Sequence, residues 1–233
     1  MTCAALSPER GEGGGPPFRF YGRRQAKQLS PRQLDLLATE LPPLQVAPDD
    51  VAGLLAAHPG PAWLEIGFGG AEHLLTQAAR HPDVLCIGCE PFMEGVVKAV
   101  TGIRAAGLGN VRLWPDDVRI LLEDVSDGAF ERIFVLFPDP WPKTRHHKRR
   151  IVSDDNLDRF ARVLRPGGRL RVATDHKAYA QWIEKHLARR TDLAVPDGAA
   201  PKSGEPPADH VTTRYQEKLL AGHAPVWFDR VRV

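Results

Sequence analysis

A short apolar strand runs directly into a glycine-rich turn in the segment WLEIGFGG, residues 63–70. A helical pattern of apolar residues follows at once, over residues 73–80. Glycines let a backbone approach a ligand closely, and the free N–H groups at the start of the next helix can bind that ligand. The segment therefore predicts the first strand, turn and helix of an open α/β sheet, with a binding site at the turn.

Strand and helix patterns alternate along the rest of the chain. Further strands are predicted at residues 84–89, 111–114, 133–137, 169–174 and 226–233. Further helices are predicted at residues 94–106, 118–123, 154–164 and 178–190, after a short helix at 31–41. In that first helix, Leu34, Leu37 and Leu41 share one face. Alternation with short links predicts a mostly parallel sheet covered by helices on both faces.

The chain of 233 residues suits one domain, which we expect to span residues 18–233 with a loop at 195–209. Residues 1–17 are rich in glycine and proline without periodicity, and we expect them to be disordered. No apolar run is long enough to span a bilayer, and the N-terminus lacks a signal-peptide pattern. We therefore expect a cytoplasmic protein with no membrane contact, and no obligatory protein partner.

Cys86 and Cys89 form a CxxC pair, a spacing that can bind metal or perform redox chemistry. Both fall in the predicted strand 84–89, where residues three apart point to opposite faces of the sheet. We therefore expect two separate buried thiols and no metal site.

Acidic residues end three successive predicted strands: Glu65, Glu90 and Asp116. Glu65 beside the glycine turn suits a sulfonium or ammonium group and would repel a pyrophosphate. The dinucleotide pattern G-x-G-x-x-G is also broken, because Glu72 occupies its last position. Glu90 could accept hydrogen bonds from ribose hydroxyls, and Asp116 one from an adenine amino group. The set favours an S-adenosylmethionine site, although each acid alone could cap a helix or lie on the surface.

The segment IFVLFPDPWPKTRHHKRR, residues 133–150, joins a strand to a proline-framed turn and a basic run. Asp139 ends the strand and is expected beside the cofactor cleft, unless it is an ordinary turn residue. Trp141 could stack on a base or could equally be a packing residue. The cations that follow, and those of a second acid-free stretch at 18–32, could bind nucleic-acid phosphates or form a solvated face.

Five stretches of the chain resemble the bacterial tRNA (guanine-N7-)-methyltransferase family. They are LEIGFG at 64–69, GCE at 88–90, FPDPWPKTRHHKRR at 137–150, ATD at 173–175 and TRY at 213–215. The proline-framed run with its basic tail is specific, whereas the glycine turn is shared among related methyltransferases. The resemblance implies a Rossmann-like class I methyltransferase fold with an antiparallel C-terminal strand. It also implies methylation of N7 of a guanosine in the tRNA variable loop, with S-adenosylmethionine as cofactor.

The resemblance assigns roles to individual residues. Cofactor binding would fall to Glu65, Gly67, Gly69, Glu90, Asp116 and Asp139. Substrate binding would fall to Lys143, Asp175, Thr213, Arg214, Tyr215 and Gln216. Independently of the resemblance, the charge of the two basic stretches predicts phosphate contacts at Arg145, Lys148, Arg149, Arg150, Arg23 and Arg24. The purine gains positive charge during N7 methylation, so we expect Asp139 and Asp175 to be catalytic by stabilising that charge, although Asp175 could instead cap a helix.

Two positions depart from the family pattern. Ala71 stands where the family usually has glycine and could tighten the cofactor turn. Gln216 stands where the family usually has glutamate. If that acid acts through its charge, the substrate contact is weakened here; if it only accepts a hydrogen bond, an amide oxygen can replace it.

Other functions are compatible with parts of the pattern. A methyltransferase for a small molecule or a protein would share the cofactor features but leave the basic stretches unexplained, and a methyltransferase for another RNA is a further alternative. A non-catalytic tRNA-binding relative would bind tRNA without the cofactor. A nucleotide-dependent oxidoreductase conflicts with Glu65 and with the broken dinucleotide pattern.

Overall fold

A computed structural model describes residue 22 and residues 24–196, 202–203, 205–217 and 224–233. The predicted disorder of residues 1–17 and the predicted phosphate contact of Arg23 lie outside the described residues. Within them, no helix is long and apolar enough to cross a membrane.

Eight strands of the described residues form one sheet, in the order β3-β2-β1-β4-β5-β8-β6, with β7 also paired to β8. The strands are β1 Ala62–Ile66, β2 Leu85–Cys89, β3 Val111–Trp114, β4 Phe130–Leu136, β5 Leu164–Thr174, β6 Leu193–Ala194, β7 Lys202–Ser203 and β8 Val226–Arg232. Strands β1 to β5 run parallel, and β8 runs antiparallel to β5. The predicted mostly parallel sheet with an antiparallel C-terminal strand is confirmed.

Helices cover both faces of the sheet. The α-helices are α1 Pro31–Glu40, α2 Val51–Ala57, α3 Glu72–Arg80, α4 Met93–Ala106, α5 Val118–Glu123, α6 Asp154–Val163, α7 Lys177–Leu187 and α8 Arg214–Glu217. Short 3-10 helices cover Pro42–Leu44, Pro48–Asp50 and Thr144–Arg149. Buried residues of α1, α3 and α4 pack on one face, and those of α2, α5, α6 and α7 pack on the other. This two-sided burial explains the uninterrupted apolar runs of β2 and of the second half of β4.

Three details differ from the sequence prediction, and a fourth confirms it. Helix α2 was not predicted, because its seven residues are too short to show a clear period. Leu34 is 43% exposed, so the predicted apolar face of α1 is wrong at that residue. Strand β5 begins at Leu164 rather than 169, directly after α6. Cys86 and Cys89 are buried in the cores on opposite faces of the sheet, as predicted.

The order of the strands locates the ligand site. After β1 the chain builds outward through β2 and β3, and then returns to place β4 on the other side of β1. At this switch point the connections leave β1 and β4 in opposite directions, which opens a crevice at the carboxyl edge of the sheet. The glycine turn after β1 and the proline-framed turn after β4 therefore flank the same crevice.

Candidate active site

The glycine turn presents bare backbone to open space. Gly67 and Gly69 have φ angles of 73° and 53°, and an added Cβ would meet nothing within 4 Å at either residue. The Gly67 N–H donates to the carbonyl of Cys89 at 2.8 Å, which ties the turn to the end of β2. Gly95 lets α4 approach, because a Cβ there would lie 2.5 Å from the Gly69 oxygen. The turn is thus fixed by β2 and α4 on one side and unobstructed at Gly67 and Gly69 on the other, as a bound ligand requires.

Glu90 fastens the end of β2 to this turn. One carboxylate oxygen accepts a hydrogen bond from the Gly69 N–H at 2.8 Å, and the other accepts from the Phe92 N–H at 2.9 Å. Burial raises the pKa of Glu90, and these two backbone donors oppose the rise. Each oxygen keeps a lone pair, so the carboxylate can still accept bonds from a pair of hydroxyls.

Glu65 is buried at the end of β1 and lies against a histidine. Its Oε2 is 2.7 Å from Nδ1 of His73, and His73 Nε2 is 3.2 Å from Nε2 of Gln77. The Gln77 amide group also donates to the carbonyl of Asp209 at 2.7 Å. An amide N–H can only donate, so His73 accepts through Nε2 and donates from Nδ1 to Glu65. His73 and Gln77 were not among the predicted site residues, although their i, i+4 spacing places both on one face of α3.

Asp116 follows β3 and accepts two hydrogen bonds at Oδ1. The donors are the Asp117 N–H at 2.7 Å and the guanidinium of Arg24 at 2.5 Å. The carbonyl of Arg24 accepts from the N–H of Met93, and Glu94 accepts from backbone N–H groups of the same segment. Arg24 was predicted to contact phosphate, and the structure places its guanidinium on Asp116, which was predicted to bind the cofactor. The segment around Arg24 therefore crosses the start of α4 at the expected adenine end.

The turn after β4 carries Asp139 between two strained residues. Phe137 and Trp141 have φ angles of 52° and 42°, in the left-handed region that non-glycine residues avoid. Such backbone costs on the order of 1–3 kcal/mol per residue and persists only where its surroundings enforce it. Desolvation raises the pKa of Asp139. The guanidinium of Arg149 lies 4.9 Å from the centroid of the Trp141 ring, so one face of this half-buried indole is covered by the protein itself.

The basic run divides into exposed and buried cations. Lys143, Arg145 and Lys148 are exposed on or beside the 3-10 helix, as phosphate contacts require. Arg150 is only 3% exposed, and its Nε donates to the carbonyl of Pro140 at 2.9 Å. This burial does not favour the predicted phosphate contact of Arg150, which stays a prediction.

The segment around α8 returns to the crevice. The Tyr215 hydroxyl donates to Asp175 at 3.4 Å, and the Tyr215 ring centroid lies 5.7 Å from that of Phe137. Asp175 does not cap α7, because the N-cap residue is His176. The end of β5, the Asp139 turn and α8 thus meet in one place.

Asp209 anchors the chain that leads to α8. Its carboxylate binds Arg171 at 2.5 Å and Arg132 at 2.8 Å, on strands β5 and β4. Burial would raise the pKa of Asp209, but the two guanidiniums hold it below its ordinary value. The next residue, His210, stacks with His73 at 5.9 Å and contacts Trp227 at 4.5 Å between ring centroids. The substrate-side segment is therefore joined to the histidine that holds Glu65.

Comparisons with known proteins establish the family. The family model described as "Putative methyltransferase" matches residues 59–228. The tRNA (guanine-N(7)-)-methyltransferase of Hyphomonas neptunium is 50% identical over 226 residues, covering 92% of this chain and 100% of the relative. That of Paramagnetospirillum magneticum is 46% identical over 231 residues, covering 94% and 95%. The chain belongs to the tRNA (guanine-N(7)-)-methyltransferase family.

Solved structures agree on the fold. The 16S rRNA methyltransferase KamB aligns with a TM-score of 0.58 at 16% identity, over 77% of this chain and 91% of that one. An antibiotic-related methyltransferase aligns with a TM-score of 0.56 at 16% identity, over 81% and 95%. At this identity the likeness concerns the fold alone, and it confirms the class I methyltransferase architecture.

The structure explains what the two departures from the family pattern do. Ala71 has a φ of 65° at the start of α3, the backbone region in which the family's usual glycine is unstrained. Gln216 accepts hydrogen bonds from the Thr213 N–H at 3.1 Å and from His210 Nε2 at 2.7 Å. The Gln216 N–H lies 3.4 Å from the Thr213 hydroxyl, which completes a capping box at the start of α8. An amide oxygen performs this role as a carboxylate would.

Proposed function

We propose that this chain transfers a methyl group from S-adenosylmethionine to N7 of a guanosine in tRNA, at guanosine 46 of the variable loop. One observation carries the proposal: the carboxylate-lined glycine turn, the Asp139 turn and the Tyr215–Asp175 contact flank a single crevice. A cofactor site and a site for a flat base are therefore adjacent, in a member of a family whose relatives carry this activity in their names.

The residues of the glycine turn fit S-adenosylmethionine. Open space above Gly67 and Gly69 admits a ligand to their backbone, and the nearby acids suit a cationic molecule with hydroxyl and amino donors. Glu65, Glu90 and Asp116 would hold it, with Asp139 on the substrate side. When bound, the cofactor supplies an activated methyl group on a sulfonium.

The protein's part in the reaction is to place and stabilise the purine. Guanine N7 has an in-plane lone pair, so no side chain needs to remove a proton before attack. Tyr215 and Phe137 offer aromatic surface for the base, and fixed orientation lowers the entropic cost of reaction. Asp139 and Asp175 provide negative charge where the purine becomes positive, which lowers the barrier electrostatically.

Exposed cations beside the crevice would hold the tRNA. Lys143, Arg145 and Lys148 point outward next to the Asp139 turn, and contacts of this kind supply affinity rather than sequence choice. Thr213, Arg214, Tyr215 and Gln216 would order the substrate side of the crevice. A cytoplasmic location, a single domain over residues 18–233 and action without an obligatory protein partner belong to the same proposal.

Replacement of the two substrate-side acids tests this assignment. Asp139→Asn and Asp175→Asn should each lower the rate of methyl transfer to unmodified tRNA by about 100-fold or more, since each removes a charge that stabilises the transition state. Asp155→Asn, an exposed acid on α6, is the matched control and should transfer at the wild-type rate. Wild-type turnover by a folded Asp139→Asn variant would contradict the site.

A further inference from the structure

Arg150 ends the basic run but is enclosed by aromatic rings. Its guanidinium carbon lies 4.8 Å from the ring centroid of Tyr179 and 4.8 Å from that of Trp182, both on α7. Desolvated cation–π contacts are stronger than exposed ones, and a planar guanidinium can lie flat against two rings at once. Burial also lowers the pKa of Arg150. This arginine is thus part of the protein interior.

One hydrogen bond connects Arg150, and through it the two rings, to the turn that carries Asp139. Arg150 Nε donates to the carbonyl of Pro140, the residue that follows Asp139. Arg150 Nε is thereby engaged within the protein, and the whole residue is only 3% exposed. The structure therefore sets Arg150 apart from Lys148, which is exposed two residues earlier.

The aromatic pair is itself fixed by the backbone that follows Arg150. The Val152 N–H donates to the Tyr179 hydroxyl at 3.3 Å, and Trp182 Nε1 donates to the Val152 carbonyl at 2.7 Å. Residues 150–152 are consequently attached to α7 by both polar and stacking contacts. An anchor of this kind can hold a neighbouring turn in one conformation.

The Asp139 turn needs an external anchor. Phe137 and Trp141 hold left-handed backbone on either side of Asp139, and such conformations relax unless tertiary contacts enforce them. The Arg150 bond falls on Pro140, between the two strained residues. Loss of this bond would let Asp139 move away from the reacting base, and small displacements of that kind are costly to catalysis.

We propose that Arg150 is a positioning residue for methyl transfer, which fixes the Asp139 turn against α7 and does not bind tRNA. The inference rests on the proposed function, since it concerns the placement of the proposed catalytic acid. It separates Arg150 from the phosphate-binding cations that surround it in the sequence.

Arg150→Lys gives the sharpest test, because lysine keeps the charge and loses both the planar stack and the Nε donor. We expect kcat to fall at least 30-fold, with the tRNA KM and the slope of log affinity against log salt concentration unchanged. Lys148→Ala is the matched control and should raise the tRNA KM, leave kcat near wild type and reduce the salt slope by about one. Arg150→Met removes the charge and tests for a phosphate contact. The proposal would be overturned by a wild-type kcat in Arg150→Lys. It would also be overturned if Arg150→Met reduced the salt slope as much as Lys148→Ala does.

A second variant keeps the test decisive if Arg150→Lys does not fold. Trp182→Leu removes one wall of the stack without changing any cation, and should also lower kcat while leaving tRNA affinity and its salt slope intact. Wild-type kcat in a folded Trp182→Leu variant would contradict the positioning role. A wild-type protein that fails to methylate tRNA would refute the proposed function. An active wild type with equally active variants would refute only the positioning role of Arg150.

Discussion

Gln216→Ala tests whether this residue acts through hydrogen bonds. Its amide oxygen accepts from the Thr213 N–H, which caps α8, and from Nε2 of His210, which stacks on His73. Alanine removes both bonds without adding a clash or a charge. The segment that carries Tyr215 should then undock from the crevice more often.

The expected magnitude follows from the two bonds. Loss of the capping-box bond from the Thr213 N–H costs about 1 kcal/mol, comparable to the loss of a helix cap. A half-buried donor left without its acceptor adds about 1 kcal/mol, the lower end of the usual range. The sum of about 2 kcal/mol corresponds to a shift of about 30-fold toward the undocked segment, at about 1.4 kcal/mol per factor of ten. We expect kcat/KM for tRNA to fall tenfold to thirtyfold, on the order of that shift.

The assay is steady-state methyl transfer to unmodified tRNA at pH 8. Burial lowers the pKa of His210, so its ring is neutral at that pH and donates from Nε2 to Gln216. Gln216→Glu keeps an acceptor oxygen and should stay within about threefold of wild type, and Gln181→Ala, an exposed residue on α7, serves as control. A gain of tenfold or more in Gln216→Glu, with no loss in Gln216→Ala, would refute the hydrogen-bond role and favour charge.

Three further predictions concern backbone strain and ionisation. Ala71→Gly should change the free energy of unfolding, measured by urea titration, by less than about 1 kcal/mol. Relief of left-handed strain offsets the lost methyl group and the greater entropy of the unfolded chain. A loss of stability above about 2 kcal/mol would contradict the left-handed backbone at Ala71. Because the pKa of Asp139 is raised and its ionised form is required, kcat should fall on acidification at a higher pH than an ordinary aspartate gives, and Asp139→Asn should lack this limb. Burial raises the pKa of the Cys86 thiol to about 12, so only the unfolded state ionises near pH 9 and above. Wild type should therefore lose more stability between pH 8 and pH 10 than Cys86→Ala, and equal losses would indicate an accessible thiol.

Much of the fold could be predicted because the central strands are buried on both faces. A strand such as β2 is then a continuous apolar run, and an acid or a glycine marks its end. Short or one-sided elements gave weaker patterns. Helix α2 has only seven residues, and Leu34 has the right spacing for the core but is left 43% exposed by the described residues.

The site acids could be predicted for a related reason, because parallel strands bring their carboxyl ends to one edge. Contacts between distant segments could not. The burial of Arg150 depends on rings about thirty residues further along the chain, in α7. The stacking of His210 on His73 likewise joins two segments that share no local pattern.

The most direct measurement is to incubate the protein with unmodified tRNA and methyl-labelled S-adenosylmethionine, and to identify the labelled nucleoside by mass spectrometry. A tRNA whose variable-loop guanosine is replaced by adenosine serves as the control. We predict N7-methylguanosine in the first tRNA and no label in the second. A different methylated nucleoside, or no transfer by folded protein that binds the tRNA, would contradict the proposed function.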